Sequence, residues 1–235
     1  MAEYRTTATA GARAEVVNAF MRGVYTWMAG GLGLTALVAY VVVSTPAFIQ
    51  FVAQNPMILL VLIIGELGLV VAISAAVHKM SAATASGLFL LYSGLNGVTL
   101  SPILLIYTGA SVASTFVVCA GMFGAMSVYG LVTKKDLTSW GSFLFMGLIG
   151  IIIAMVVNIF LRSPMLHFAI SGLGVLIFTG LTAYDTQKLK EMGQNAPMDD
   201  ATAVRRGTIL GALRLYLDFI NLFLMLLRLM GQSRN

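Results

Sequence analysis

Two aspartates lie in apolar helical stretches near the end of the chain, Asp185 in GLTAYDTQ and Asp218 in LRLYLDFINLFLMLLRL. An ionised side chain at membrane depth costs at least ~2.5 kcal/mol, so such residues usually face a protein interior or a water-filled path. Two carboxyl groups that approach each other cannot both ionise at low cost, and they titrate as a coupled pair. Ca²⁺ prefers oxygen ligands of this kind. If the two aspartates lie close together, they form a pH sensor that can also hold Ca²⁺ transiently. The alternative for Asp185 is an interfacial carboxylate paired with Lys188 or with a neighbouring helix end.

The last apolar stretch carries further polar residues on the same helical face as Asp218. Successive residues of a helix turn by about 100°, which places Arg214, Asp218, Asn221, Met225 and Arg228 on one narrow face. This pattern predicts a central last helix whose polar stripe faces a cavity. The i, i+4 spacing of Arg214 and Asp218 leaves a second interpretation open, a neutralised pair that only makes burial tolerable.

Glu66 is the third acid within an apolar stretch. Its candidate partners are the polar residues of the next stretch, Tyr92, Asn96, Thr99 and Ser101. Glu66 is either a second acidic point along an ion path or a protonated, hydrogen-bonded structural carboxyl. His78 and Lys79 follow on the same side as Asp185; they are interfacial anchors or, alternatively, a latch for that aspartate.

Composition determines the class of protein. Of the 235 residues, 59% are hydrophobic and only 10% are charged, whereas soluble domains average about 25% charged residues. We therefore predict an all-α integral membrane protein, a seven-helix bundle in one domain, with a polar segment at 1–23, the transmembrane domain at 24–229 and a short tail at 230–235. The seven stretches long enough to span are 24–43, 57–77, 83–107, 111–133, 140–161, 165–187 and 208–229.

The distribution of basic residues predicts the topology. One side of the predicted membrane carries Arg5, Arg13, Arg22, Lys79, Lys134, Lys135, Lys188, Lys190, Arg205 and Arg206, and the connections of the other side carry Arg162 alone. Basic residues concentrate in cytoplasmic loops, so we expect a multi-pass protein with a cytoplasmic N-terminus. Arg228 and Arg234 near the other terminus leave open a last helix that re-enters the membrane instead of crossing it.

Several classes of function lack support in the sequence. The single cysteine, Cys119, forms no intrachain disulfide, and no Cys/His metal spacing occurs. We find no phosphate-binding or dinucleotide glycine pattern and no nucleic-acid-binding module. The expectation is a protein without a resident cofactor whose environment is the lipid bilayer.

Three stretches together resemble the Bax-inhibitor, or TMBIM, family. They are GLFLLYSGLNGVTLSP (87–102), TGLTAYDTQKL (179–189) and LRLYLDFINLFLMLLRL (213–229). The resemblance covers nearly the whole chain and implies six helices around a central seventh. It also implies a pH-dependent Ca²⁺ leak controlled by an aspartate pair at the cytoplasmic mouth, which Asp185 and Asp218 match. Glu66 resembles the acid of the family's second helix, and the compact form is typical of members from the bacterial inner membrane.

One element of the family pattern is missing. Some members are thought to latch the aspartate pair with an arginine late in the second helix, but this chain has no arginine between Arg22 and Arg162. Arg214, His78 or Lys79 could substitute, with a change in the pH at which a switch would act.

Three functions are compared on these residues. The first is a passive Ca²⁺ leak gated by protons. The second is a non-conducting regulator of another membrane protein, such as the membrane-anchored ATP-dependent protease linked to some bacterial relatives. The polar leader, residues 1–23, would then contact this partner. Alternatively, the leader is simply a disordered tail. The third is an intramembrane aspartyl protease, which Tyr184–Asp185 fits. That enzyme needs Gly-x-Gly before its second aspartate, where this chain has Leu215 and Leu217, so we expect no enzyme.

Overall fold

The structure is a computed structural model that describes residues 2–196 and 200–234. Its long segments are helices, with one short 3₁₀ turn at Val77–Lys79. The helices are α1 Ala2–Val43, α2 Pro46–Gln54, α3 Pro56–Ala76, α4 Ala82–Leu100, α5 Ile103–Ile106, α6 Gly109–Val132, α7 Thr138–Leu161, α8 Pro164–Gln194 and α9 Ala201–Met230.

Seven of these helical segments are long and apolar enough to cross a membrane, which confirms the predicted all-α membrane fold. The last, Ala201–Met230, is 67% buried over its most apolar window, against 11–33% for the other six. Such burial is what we expect of the helix predicted to be central. At 1.5 Å per residue its 30 residues extend about 45 Å, more than the ~30 Å of hydrocarbon, and α9 is unbroken.

The first residues of the chain are helical, and the last described residues are held by backbone hydrogen bonds. Residues 2–23 continue without a break into the first span as part of α1, so the disordered tail considered for the leader is wrong. The leader contains no proline and many alanines, which favour helix even in a polar segment. Near the other end, Gln232 O accepts from Thr108 N at 3.0 Å, and Arg234 N donates to Ile106 O at 2.8 Å. Met1 and Asn235 lie outside the described residues.

The chain divides into two compact units. Unit 1 comprises residues 2–105, 189–196 and 200–216, and unit 2 comprises residues 106–188 and 217–234. In unit 1 the buried ring of Tyr216 meets Phe89 and Tyr92 edge to face, with centroids 5.8 and 5.6 Å apart. In unit 2 the ring of Phe219 packs against Phe116 and Phe123, each with centroids 5.4 Å apart.

Gly97 lets α4 approach α1 closely in unit 1. A Cβ at this position would lie 2.6 Å from Thr35 O and 2.8 Å from Val38 Cβ. Because a backbone carbonyl cannot move aside cheaply, we expect Gly97→Ala to lower the free energy of unfolding by ~1–3 kcal/mol, the usual cost of overpacking. Gly94→Ala in the same helix is the matched control, since no atom lies within 4 Å of its Cβ position. Thermal unfolding in detergent measures both, and equal stability of the two variants would contradict this account of the packing.

Candidate functional site

Glu66 of α3 is buried, and two side chains of α4 bind its carboxylate. Thr99 Oγ1 donates to one carboxylate oxygen at 2.8 Å, and Asn96 Nδ2 donates to the other at 3.3 Å. Both partners are among the candidates named from the sequence. A buried acid with two donors is expensive to ionise but well held in place.

The hydrogen bonds continue from Glu66 to α9 and α1 within unit 1. Tyr216 OH donates to Asn96 Oδ1 at 3.2 Å and lies 2.6 Å from Thr35 Oγ1. With the Tyr216 proton on Asn96, the Thr35 hydroxyl is the donor to Tyr216, and Ser93 O at 2.8 Å is its alternative acceptor. We call Glu66, Asn96, Tyr216 and Thr35 the polar chain. Sequence reasoning missed Tyr216 and Thr35; the only signal was an aromatic hydroxyl and a threonine inside apolar runs.

Asp185 is half-buried in α8, near the connection between α6 and α7. A side chain of α8 binds this connection. Gln187, two residues further along, accepts from Leu137 N at 2.9 Å and donates to Lys135 O at 2.8 Å. Gln187 is buried, and the sequence analysis did not identify it. The α6–α7 connection is thereby fixed beside the end of α8 that carries Asp185.

Asp218 is buried in the part of α9 that belongs to unit 2. Its neighbour Phe219 contacts α6 through its ring and through its carbonyl oxygen, which lies 3.7 Å from Cys119 Sγ. The burial expected for this aspartate is therefore found.

The contact between α8 and α9 shows how the two aspartates are oriented. A Cβ on Gly174 would lie 2.7 Å from Met225 Cγ, so the helices are close at this level. With about 100° per residue, Asp185 lies about 20° from Gly174 around α8, and Asp218 lies about 20° from Met225 around α9. Both aspartates therefore lie on the faces along which α8 and α9 meet.

The levels of the two aspartates follow from the same contact. Successive spans run in opposite directions. Asp218 lies seven residues before Met225, and Leu181 lies seven residues after Gly174. Asp218 and Leu181 are therefore at the same level along the two helices. Asp185 is one turn beyond Leu181, about 6 Å along the axis. Each side chain tilts toward the N-terminus of its own helix. In an antiparallel pair with this offset, that tilt brings the two carboxyl groups toward each other.

The other predicted site residues lie in different settings. Arg214 is exposed, and its long side chain keeps the charged group at an accessible surface, which avoids the cost of burial. A role for Arg214 along a pore or as a latch stays a prediction. Asn221 is half-buried and donates back to Leu217 O at 2.8 Å. His78 and Lys79 are exposed in unit 1, where the Arg206 guanidinium donates to the His78 carbonyl oxygen. A latch from His78 or Lys79 stays a prediction.

Metal binding at the site is limited by the number of ligands. Across residues 2–196 and 200–234, no three His, Cys, Asp or Glu side chains gather into a group that could hold a metal ion. Ca²⁺ takes six to eight oxygen ligands. Asp185 and Asp218 alone supply fewer ligands than this.

Known proteins resemble this chain over almost its full length. The Escherichia coli K12 inner membrane protein YbhL is 53% identical over 218 residues, which is 93% of each chain. A protein of Borreliella burgdorferi is 50% identical over 220 residues, 94% of each chain. A membrane protein of Streptococcus pyogenes serotype M1 is 39% identical over 221 residues, 92% of this chain and 94% of its own.

The family comparison covers the same region. Residues 17–235 match the model of the family described as inhibitor of apoptosis-promoting Bax1. This range contains all seven spans except the first few residues of the first, and it contains Glu66 and both aspartates. The chain is a multi-pass membrane protein that belongs to the Bax-inhibitor family.

Proposed function

We propose that this protein is a passive, pH-sensitive Ca²⁺ leak of a bacterial inner membrane, switched by protonation of Asp185 and Asp218. One observation supports the proposal, the close contact of α8 and α9 at Gly174 and Met225. From this contact, ideal helical geometry puts both aspartates on the contacting faces, about one helical turn apart. The inner-membrane location is suggested by the name of the 53% identical YbhL. The excess of Lys and Arg on one side supports a cytoplasmic N-terminus.

The proposed mechanism needs only the two carboxyl groups and the helices that hold them. Ionised, Asp185 and Asp218 attract Ca²⁺ and repel each other, and a cation or a shared proton relieves that repulsion. Protonation removes the charge that attracts Ca²⁺ and changes the hydrogen bonds available between α8 and α9. Glu66 supplies a further acidic point in unit 1, held by Thr99 and Asn96. No covalent chemistry is required, so we propose no enzymatic activity.

Ca²⁺ entry into proteoliposomes tests the proposed function. We expect the purified protein to raise the initial rate of Ca²⁺ entry above that of empty liposomes, and the rate to change between pH 5.5 and 8 because the carboxylate pair titrates as a unit. An indicator trapped inside the vesicles reports the rate, and the external pH is varied at constant Ca²⁺. A rate equal to that of empty liposomes, or one that stays constant across the pH range, would contradict the proposal.

A second function is favoured by the length of α1. Its 42 residues extend about 63 Å at 1.5 Å per residue, about twice the ~30 Å that the hydrocarbon core requires. Glu15, Asn18 and Arg22 are exposed on this extension, so α1 presents a polar helical surface on the side predicted to be cytoplasmic. Regulation of another membrane protein, such as a membrane-anchored ATP-dependent protease, would use this surface and is compatible with a leak.

A further inference from the structure

Unit 2 has an open cavity of about 350 Å³ between α6, α7 and α8, beside the α6–α7 connection. Its side-chain walls are aromatic and aliphatic, and a lysine lies at its rim. We call it the lysine pocket and define it by Tyr129, Lys135, Trp140, Leu144 and Tyr184. Its connection follows the fourth span, so we predict that it lies on the cytoplasmic side of the membrane.

Two glycines and one glutamine give the pocket its shape. Gly141 lets the Tyr184 ring lie directly on the α7 backbone, since a Cβ there would lie 2.5 Å from the ring carbon Cζ. Gly180 leaves room for Leu144, whose methyl groups would lie 2.9 Å from a Cβ at this position. The side chain of Gln187 binds Lys135 O and Leu137 N and thereby fixes the rim. The pocket is therefore formed by packed helices and a fixed connection.

The rim of the pocket is positively charged. Lys134 and Lys135 are exposed on the connection, and Lys188 Nζ lies 6.0 Å from the centroid of the Tyr184 ring. Asp136 is the acid of the rim. The Thr138 hydroxyl and backbone N–H donate to its carboxylate at 2.5 and 2.8 Å. The bond from the Thr138 hydroxyl is the main reason why the pKa of Asp136 lies below its usual range. The bond from the Thr138 N–H lowers this pKa further, and Lys188 makes a smaller contribution. Within the connection itself, Lys134 and Lys135 outnumber Asp136 and leave one excess positive charge.

The pocket opens onto an apolar helix face. Trp140 is 63% exposed and Phe143 is 64% exposed, one helical turn apart along α7. Tyrosine and tryptophan are typical of the membrane–water interface, where the ring is in hydrocarbon and the polar end reaches water. Basic pockets between transmembrane helices bind anionic lipid headgroups. A basic rim, interfacial aromatic rings and an apolar face below them match the three parts of a phospholipid.

We propose that the lysine pocket binds an anionic phospholipid of the surrounding bilayer. The Lys135 ammonium pairs with the lipid phosphate, and an acyl chain lies along Trp140 and Phe143. The occupant is a lipid and not a soluble anion, because the apolar surface continues from the pocket into the membrane-facing side of α7. Binding of this lipid does not depend on ion flux through the protein.

Quenching of Trp140 by brominated lipids tests the proposal. The chain has two tryptophans, so Trp27→Phe leaves Trp140 as the only one, and its fluorescence reports lipids in contact with the pocket. Proteoliposomes are prepared with brominated phosphatidylglycerol or brominated phosphatidylcholine at equal mole fractions. We expect phosphatidylglycerol to quench at lower mole fraction. Lys135→Gln should lower its relative binding constant about fivefold, as expected for one lysine near an anionic lipid surface.

Lys79→Gln in the same background is the matched control. Lys79 is also exposed and is predicted to lie on the same side of the membrane, but it belongs to unit 1 and does not line the pocket. We expect this variant to keep the preference for phosphatidylglycerol. Equal quenching by the two lipids in the Trp27→Phe variant, with Lys135 and Lys79 both present, would overturn the proposal. So would a preference unaffected by Lys135→Gln, or one lowered equally by Lys79→Gln.

Discussion

Replacing Asp218 with asparagine is expected to abolish most of the pH dependence of Ca²⁺ flux between pH 5.5 and 8. Asparagine has nearly the same size and can still form hydrogen bonds, so α9 should keep its packing against α6 and α8. It cannot titrate, and a pair without its buried carboxyl group no longer responds as a unit. A proton that binds equally well to two conformations of a protein does not change the equilibrium between them. We therefore expect the ratio of the flux rates at pH 5.5 and pH 8 to approach one.

The control for Asp218→Asn removes one carboxylate elsewhere. Glu15 is exposed on the extension of α1, so Glu15→Gln makes the same change in charge without altering the contact between α8 and α9. Initial rates of Ca²⁺ entry should keep the wild-type pH dependence in this variant. A pH response retained by Asp218→Asn, or lost equally in Glu15→Gln, would show that the buried aspartate is not the switch.

Replacing Tyr216 with phenylalanine is expected to lower the free energy of unfolding by ~1–3 kcal/mol, because it leaves a buried acceptor without its donor. The lost hydroxyl donates to Asn96 Oδ1 at 3.2 Å and lies 2.6 Å from Thr35 Oγ1. Thr35 can still donate to Ser93 O, whereas Asn96 Oδ1 loses the bond from α9. The phenylalanine ring should keep the edge-to-face contacts with Phe89 and Tyr92.

Thermal unfolding in detergent measures the effect of Tyr216→Phe, and Tyr40→Phe is the matched control. Tyr40 lies in α1 with 67% of its surface exposed, so the loss of its hydroxyl should change stability by less than ~0.5 kcal/mol. If both variants unfolded at the wild-type temperature, the polar chain would not contribute to the stability of unit 1 as we describe.

The sequence was sufficient to predict the number of spans, because long apolar runs with few charges have almost no other stable environment than a bilayer. It was also sufficient to single out Asp185, Asp218 and Glu66, since acids in such runs are rare. These predictions depend on composition along the chain and not on how the helices are rotated against one another.

The polar chain could not be predicted in the same way. Lipid is as apolar as the interior of a helical membrane protein, so hydrophobic residues do not mark the buried face of a span. Which residue of α4 meets Tyr216 or Thr35 depends on close approaches such as that at Gly97. The sequence shows that the glycine is present but not which helix it meets.

Two further differences have separate physical causes. Apolar runs do not reveal the helical leader, because residues 2–23 are largely polar and form the start of α1 with the help of helix-favouring residues such as alanine. Arg214 shares a helical face with the buried Asp218 but is itself exposed. Its exposed side chain shows that one helical face can be buried at one residue and accessible a turn away.

The coupling between the two aspartates is the most direct test of this account. Ca²⁺ flux is measured from pH 5.5 to 8 for wild type, Asp185→Asn, Asp218→Asn and the double variant, in the form of a double-mutant cycle. If the two carboxyl groups act as one switch, either single substitution should remove most of the pH response, and the double variant should lose little more. Independent, additive effects of the two substitutions, or a full pH response in the double variant, would contradict a switch at the contact between α8 and α9.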